Sequence, residues 1–383
     1  MSGPSAAASS TPGWRGRAYD SLDAMGGLLP GMGLAAALGA LATALAVWIG
    51  VELLGYAKSP ISAIPLAVLL GIVVRDVVGV PAVYEPGLRL CVKRILRVGV
   101  VLLGVRLSVM DAGTTGLVAL PLVLVCIVTA LLVVRALARA LSLPERLGTL
   151  IAVGTSICGV TAIVATAPVI DATDDEASYA VATIALFGTI ALFAYPFLAH
   201  VLFGDARHVG LFLGTAIHDT SQVAGAGLTY QQQFGAPLAL NVAVVTKLVR
   251  NSLMVAVIPL ARAMHRRTGD ASARARGLAG LTDVVPLFIL GFIAMSILRT
   301  VGDAGERPFG ALDPATWDRF LELAQRIAEV ALLLAMAAVG LSTSVRRLRI
   351  LGLRPLAVGM AAAACVGVVS VALIHLLAAI SVI

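Results

Sequence analysis

Residues 154–161 read Gly-Thr-Ser-Ile-Cys-Gly-Val-Thr, and residues 214–222 read Gly-Thr-Ala-Ile-His-Asp-Thr-Ser-Gln. Each drops a run of small polar residues into the middle of an apolar segment. Ser and Thr offer the backbone alternative hydrogen bonds, and Gly weakens a helix. Unwound backbone at membrane depth survives only where it lines a cavity or is buried in protein. The free N–H groups of a restarting helix then form an anion site carrying about half a positive charge. The two stretches therefore predict two interrupted helices. For 154–159 alone, small-residue helix packing explains the residues equally well. The second stretch is sharper, because His218 and Asp219 place two ionisable groups inside a span. Such groups are costly there and functional by default.

The surrounding composition sets the class. The chain has 383 residues, is 59% hydrophobic and only 13% charged, against about 25% charged in a soluble domain. Hydrocarbon accepts that much apolar surface only from helices or closed barrels. The long, non-alternating apolar runs exclude a barrel. The fold class expected is an all-α, polytopic transmembrane helical bundle. The net charge of +7 is read as charge sorting across the bilayer, not as nucleic-acid binding. Cys91, Cys126, Cys158 and Cys365 are scattered with no metal or disulfide spacing, and no cofactor motif occurs.

Residues 1–27 hold no apolar core and are expected to be a disordered cytoplasmic tail, with 28–383 a single transporter domain. Eleven spans are predicted near 29–52, 61–79, 90–109, 114–137, 147–171, 177–203, 207–229, 237–263, 282–300, 318–342 and 353–381. With the N-terminus inside and each span crossing once, inner segments hold twenty Lys and Arg and outer segments five. Lys247, Arg250 and Arg326 fall within spans. That asymmetry supports an odd number of crossings, N-terminus cytoplasmic and C-terminus outside. It puts the acidic loop 171–176 outside and Arg207 inside.

Internal repetition is visible at two levels. Ile64-Pro65-Leu66 through Gly71 echoes Val285-Pro286-Leu287 through Gly291, and Leu103–Ser108 echoes Val339–Ser344. This makes 61–137 and 282–381 candidate inverted repeats around a central segment, 147–263. The two polar stretches also echo each other. Two crossings separate them, which would make them parallel. The two levels conflict as they stand: either one match is fortuitous or one interrupted segment is re-entrant.

The segment 237–263 carries Lys247, Arg250 and Asn251 on one helical face. As a buried ion pair, Lys247 would meet Asp219. As a binding surface, the face would neutralise an anion. In the segment 318–342, Glu322, Arg326 and Glu329 are spaced to pair along one helix.

At 154–170 (GTSICGVTAIVATAPVI) and 214–227 (GTAIHDTSQVAGAG) the chain resembles a family of bacterial conserved hypothetical membrane proteins named for sulfate export. The likeness extends through 182–196 and Lys247–Asn251 and covers about residues 30–380. The resemblance implies a ten- or eleven-helix inner-membrane transporter. It further implies kinship with bile-acid symporter and sodium–proton antiporter folds, which use crossed, broken helices.

The function expected is secondary active export or exchange of a small anion, sulfate or an organosulfur compound, by alternating access. Thr155, Ser156, Cys158, Thr161, Thr220, Ser221 and Gln222 would line the site with Lys247, Arg250 and Asn251. His218 or Asp219 would carry a coupling proton or sodium ion. A homo-oligomer in the bilayer is compatible with this. The alternatives are a sodium or proton antiporter with Asp219 as carrier, and a sensor or scaffold without flux. No enzyme motif such as HExxH is present.

Overall fold

The computed structural model describes residues 26–53, 62–265, 287–305, 307–344 and 353–380. The first 25 residues of the expected tail, and Val285-Pro286 of the proposed repeat, lie outside them. Every described element is helical. In chain order they are α1 (Leu29–Val47, extended by a π turn to Leu53), α2 (Ala63–Val73, extended to Val78) and α3. The last runs over 85–106 as four short helical pieces. Then come α4 (Val109–Ala140), α5 (Glu145–Ser156), α6 (Val160–Thr166, extended by a 3-10 turn to Val169), α7 (Asp174–Leu202), α8 (Ala206–Ala216) and α9 (Thr220–Phe234). α10 (Pro237–Ser252), α11 (Met254–His265), α12 (Leu287–Gly302), α13 (Pro314–Ser342) and α14 (Leu353–Ala379) complete the chain.

Five of these are long and apolar enough to cross a membrane on length and composition alone. α10 and α11 together make a sixth, bent by 40°. Their surfaces fit that solvent: Leu117, Leu132, Val201 and Val368 stand 65% or more exposed, which hydrocarbon accepts and water does not.

Packing contacts fix the direction of every element. Gly31 at the start of α1 lies against Tyr84 and Gly87, and Asp76 at the end of α2 accepts a hydrogen bond from Ser344. Those sites define a first face of the bundle. At the opposite, second face, Ser62 meets Gln232, and Arg106 meets Gln231. Nine passages run between the faces among the described residues: α1, α2, α3, α4, α7, α10–α11, α12, α13 and α14. Accordingly α2 and α12 run in opposite senses, as do α3 and α13, and α4 and α14.

The expectation of eleven crossings is corrected at 147–171 and 207–229, each of which folds back on itself. α8 runs antiparallel to α7: Tyr195 packs on Phe212 with ring centroids 5.1 Å apart, and Phe203 on His208 at 6.4 Å. It runs parallel to α10, with Gly210 against Ala239 and Gly214 against Ala243. α9 then returns antiparallel to α10, with Thr220 bonded to Asn251 and Gly227 against Leu240. It ends where α8 began, Phe234 stacking on His200 at 3.8 Å. The first hairpin, α5–α6, does the same from the first face. Ile163 of α6 comes back against Gly154 of α5, and Ala167 and Ile170 share a core with Leu147 and Ile151.

The physical reason is length. Each arm of α5 and α8 is 11 or 12 residues, about 17 Å at 1.5 Å per residue, roughly half of a 30 Å hydrocarbon core. Two half-length arms with a short break serve as one crossing or as one hairpin. The hairpin wins here because Gly154, Gly210 and Gly214 let the arms lie close to their neighbours. A Cβ at Gly214 would sit 2.6 Å from the Thr246 Cβ and 2.8 Å from the Ala243 carbonyl. One consequence is that the loop 171–176 shares a face with Arg146, and Arg207 lies at the opposite one.

The helices form two bodies. A panel comprises α1, α2, α3, α12 and α13; the hairpin bundle comprises α4–α11 and α14. Each has its own cores. One further cluster joins them, with Leu103, Phe292, Leu332 and Met336 of the panel against Leu192, Leu228, Val244 and Leu248 of the bundle.

Candidate functional site

The hairpin tips, Ile157–Gly159 and Ile217–Asp219, meet in the middle of the bundle from opposite faces. Two half-helices, α5 and α8, end there. Their last carbonyls have no partner within the helix and sit at the negative end of its dipole. α10 supplies what they lack. Lys247 Nζ donates to Ile157 O at 2.8 Å, to Ile217 O at 3.0 Å and to His218 O. Arg250 Nε donates to Ser156 O at 2.8 Å, Nη1 to Thr215 O at 2.7 Å and Ile217 O at 3.1 Å, and Nη2 to Thr155 O. Lys247 is 0% and Arg250 1% exposed, so these bonds replace hydration that both cations have lost.

The pattern explains why the two polar stretches echo each other. Aligned on Gly154 and Gly214, Thr155 matches Thr215 and Ile157 matches Ile217. Arg250 takes the first matched pair of carbonyls and Lys247 the second. One pair of cations thus grips equivalent backbone atoms of two hairpins that enter from opposite faces.

This grip uses the charges differently from the sequence expectation. An ammonium has three N–H donors, and all three of Lys247 point at carbonyls. Arg250 makes four of the five bonds open to a guanidinium. No salt bridge joins Lys247 to Asp219. The Asp219 side chain instead caps α9. Its Oδ1 accepts from Ser221 N at 2.8 Å and Ser221 Oγ at 2.5 Å, while the Asp219 N–H donates to Gln222 Oε1 at 3.3 Å. That is a capping box, worth about 1 kcal/mol. The Gln222 amide donates to Ala185 O and Thr189 Oγ1, tying α9 to α7.

At the position matching Asp219 the first hairpin has Gly159, with φ +69° and ψ −121°. That backbone conformation is open to Gly and closed to most other residues. A Cβ there would also stand 3.3 Å from Asp219 Oδ2. The second hairpin's carboxylate therefore rests over the tip of the first, in room a side chain would take.

The remaining expected site residues divide. Thr220 bonds Asn251 Nδ2 at 3.0 Å, beside half-buried Asp219, and Thr161 is exposed on the first turn of α6. These, with buried Ser221 and Gln222, lie on the side where α6 and α9 begin. Thr155, Ser156, Cys158 and His218 lie among the gripped turns and are buried. Thr155 Oγ1, both ring nitrogens of His218, Thr246 Oγ1 and Asn251 Oδ1 are buried without a hydrogen-bond partner. A polar ligand or water inside would satisfy them.

A second polar set, which sequence reasoning missed, lies at the second face. Arg106 Nη1 donates to Gln231 Oε1 at 2.5 Å and Nη2 to Glu329 at 2.7 Å; Gln231 Nε2 donates to Glu329 at 3.2 Å. Ser62 Oγ donates to Gln232 Oε1 at 2.8 Å. The expected pairing along 318–342 is thereby split. Arg326 pairs with Glu322, but Glu329 turns to Arg106. An Arg directly after the apolar run 98–105, and a Glu within the apolar segment 318–342, were the signals available.

Helix length, apolar surface and buried polar centre define an all-helical membrane protein. The chain belongs to the family described as conserved hypothetical protein 698, whose model matches residues 31–359. It is 32% identical over 289 residues to a UPF0324 membrane protein of Nitratidesulfovibrio vulgaris, covering 75% of this chain and 76% of the relative. Over 312 residues it is 32% identical to a UPF0324 membrane protein of Bacillus anthracis, 82% and 86% of the two chains. Over 349 residues it is 31% identical to UPF0324 membrane protein Atu0671 of Agrobacterium fabrum, 91% and 93%. No solved structure matches the chain.

Proposed function

We propose that the protein is a secondary active transporter of the bacterial inner membrane, exporting or exchanging a small anion of the sulfate or organosulfur type by alternating access. The observation that carries this reading is the meeting of two half-membrane hairpins at one buried polar centre. Non-helical backbone at that depth is tolerated only where it is buried in protein or lines a cavity, and membrane transporters build their binding sites from such broken helices. Lys247 and Arg250 against one carboxylate leave the centre a formal surplus of one positive charge, which attracts an anion at low local dielectric. The cations act through that field and by fixing the tips. Direct contacts come from Thr161, Thr220, Ser221 and Asn251.

The opposed directions of α2 and α12, α3 and α13, and α4 and α14 support an inverted repeat between 61–137 and 282–381. With both polar segments re-entrant, one crossing separates them, so they too are inverted relative to each other. The two levels of repetition then agree. The basic clusters of Arg135, Arg139 and Arg146 at the first face make it the cytoplasmic one, giving an inner N-terminus and outer C-terminus.

Purified protein in liposomes should pass sulfate or thiosulfate down an imposed gradient, and Thr161→Ala and Asn251→Ala should each cut the rate at least tenfold. Undiminished flux in both variants sinks the site. One observation favours a second reading: Asp219 is half-buried, carries no ion pair and faces the other tip, as the carrier of a sodium or proton antiporter would. Flux that follows only a sodium or pH gradient, and ceases in Asp219→Asn, selects that reading.

A further inference from the structure

The two hairpins are gripped alike and covered unlike. In α9 every residue from Ser221 to Tyr230 is buried. It lies against the panel, with Gly225 against Ile64 of α2 and Met336 of α13. Toward the second face, Gln231 and Gln232 bond Arg106, Glu329 and Ser62, as described above. Aligned on Gly154 and Gly214, α6 is the counterpart of α9. Yet Thr161, Val164 and Pro168, spaced to share one face of α6, are exposed, Val164 at 61%.

The panel holds two similar seats of opposite sense. α2 and α13 pack through Gly71 and Gly340, where a Cβ at Gly71 would lie 2.6 Å from Leu341 N. α12 and α3 pack through Gly291 against Val101 and Gly104 against Phe292. Gly71 and Gly340 are the residues that echo Gly291 and Gly104 in sequence. In this structure α9 occupies the α2–α13 seat.

We propose that this is the state closed at the second face and open at the first, latched by Arg106, Glu329, Gln231, Ser62 and Gln232. In the opposite state the exposed stripe Thr161–Val164–Pro168 docks on α3 and α12 while α9 leaves its seat. This inference rests on the transport reading. The panel and hairpin bundle are joined mainly by one apolar cluster, a surface able to slide, whereas the polar latch fixes one register and breaks as a unit.

The test is the labelling rate of Val164→Cys by a charged, membrane-impermeant maleimide in inverted vesicles. The wild-type chain, whose four cysteines are buried or half-buried, sets the background. Val164→Cys should label readily. Adding Glu329→Gln, which weakens the latch, should slow labelling at least threefold as α6 becomes covered. Gln231→Ala, which keeps the half-buried Arg106–Glu329 pair, should slow it less and serves if Glu329→Gln fails to fold. Locking the latch by oxidising Ser62→Cys with Gln232→Cys should restore the fast rate. Absence of labelling at Val164→Cys, or one rate across latch-weakened and locked proteins, overturns the proposal. Labelling reads conformation without flux. Failure here therefore leaves the transport reading standing, and a protein that labels as expected but passes no ion refutes transport alone.

Discussion

The two hairpins of this protein are a controlled comparison within one chain. Both carry Gly-Thr-x-Ile, both end a half-helix at mid-bundle, and both surrender matched carbonyls to Lys247 and Arg250. They differ at the next two positions. The first has Cys158 and Gly159, the second His218 and Asp219. They differ also in cover, one arm of the first lying open and both arms of the second buried. The shared residues thus belong to holding the tips together, and the unshared ones to what each tip does.

Removing the shared grip should cost most. Lys247→Met leaves Ile157 O and His218 O, one buried carbonyl in each hairpin, without donors, at about 1–3 kcal/mol each, while Ile217 O keeps its bond from Arg250. We expect a loss of at least about 2 kcal/mol, read as a large fall in the unfolding midpoint in detergent. Lys247→Met with the wild-type midpoint would show that the grip is dispensable.

Next is the close approach behind each tip. Gly214→Ala drives a Cβ into the Ala243 carbonyl and the Thr246 Cβ, a backbone obstacle that cannot rotate away. A loss of about 1–3 kcal/mol is expected. Gly154→Ala first meets side-chain atoms of Ile163 and Ile184 rather than backbone, and these can shift, so its loss should be the smaller. Thermal unfolding of the two variants side by side ranks them, and the reverse order would contradict the packing described for α8 on α10.

A smaller effect separates the unshared positions. Asp219→Ala removes the cap of α9 and should cost about 1 kcal/mol while abolishing whatever flux the protein supports. An Asp219→Ala protein with normal stability and normal flux would leave the carboxylate without a role. Smallest of all is Arg326→Ala. Its pair with Glu322 is on the surface, both side chains more than 60% exposed, and the change should stay within about 0.5 kcal/mol. Glu329→Gln, three residues on, should exceed it, because Glu329 meets an Arg106 side chain only 7% exposed.

Much of this was legible before the structure. The helical segments lie within a few residues of where hydropathy places them, and the two polar stretches mark the centre. Sense was not legible. Arms of about 17 Å joined by a three-residue break have the same composition whether they continue or turn back, and neither charge nor periodicity distinguishes the two. Gly159 with its positive φ, and Gly210 and Gly214 against α10, decide it through contacts far apart in sequence. The destination of Lys247 was hidden for a similar reason. Its partners are backbone carbonyls, which every residue possesses, so sequence pointed instead to a carboxylate, Asp219. The Arg106–Glu329 pair escaped because its members stand 223 residues apart.

Re-entry of both hairpins is the central claim, and sidedness tests it directly. Single cysteines at Ser142 and Asp174 flank the first hairpin, and cysteines at Asp205 and Gly235 flank the second. An impermeant thiol reagent applied to right-side-out and inverted vesicles reports the face of each. With both hairpins re-entrant, Ser142→Cys and Asp174→Cys label from one and the same side, and Asp205→Cys and Gly235→Cys both from the other. Labelling of Ser142→Cys and Asp174→Cys from opposite sides would make the first segment a crossing and contradict the account.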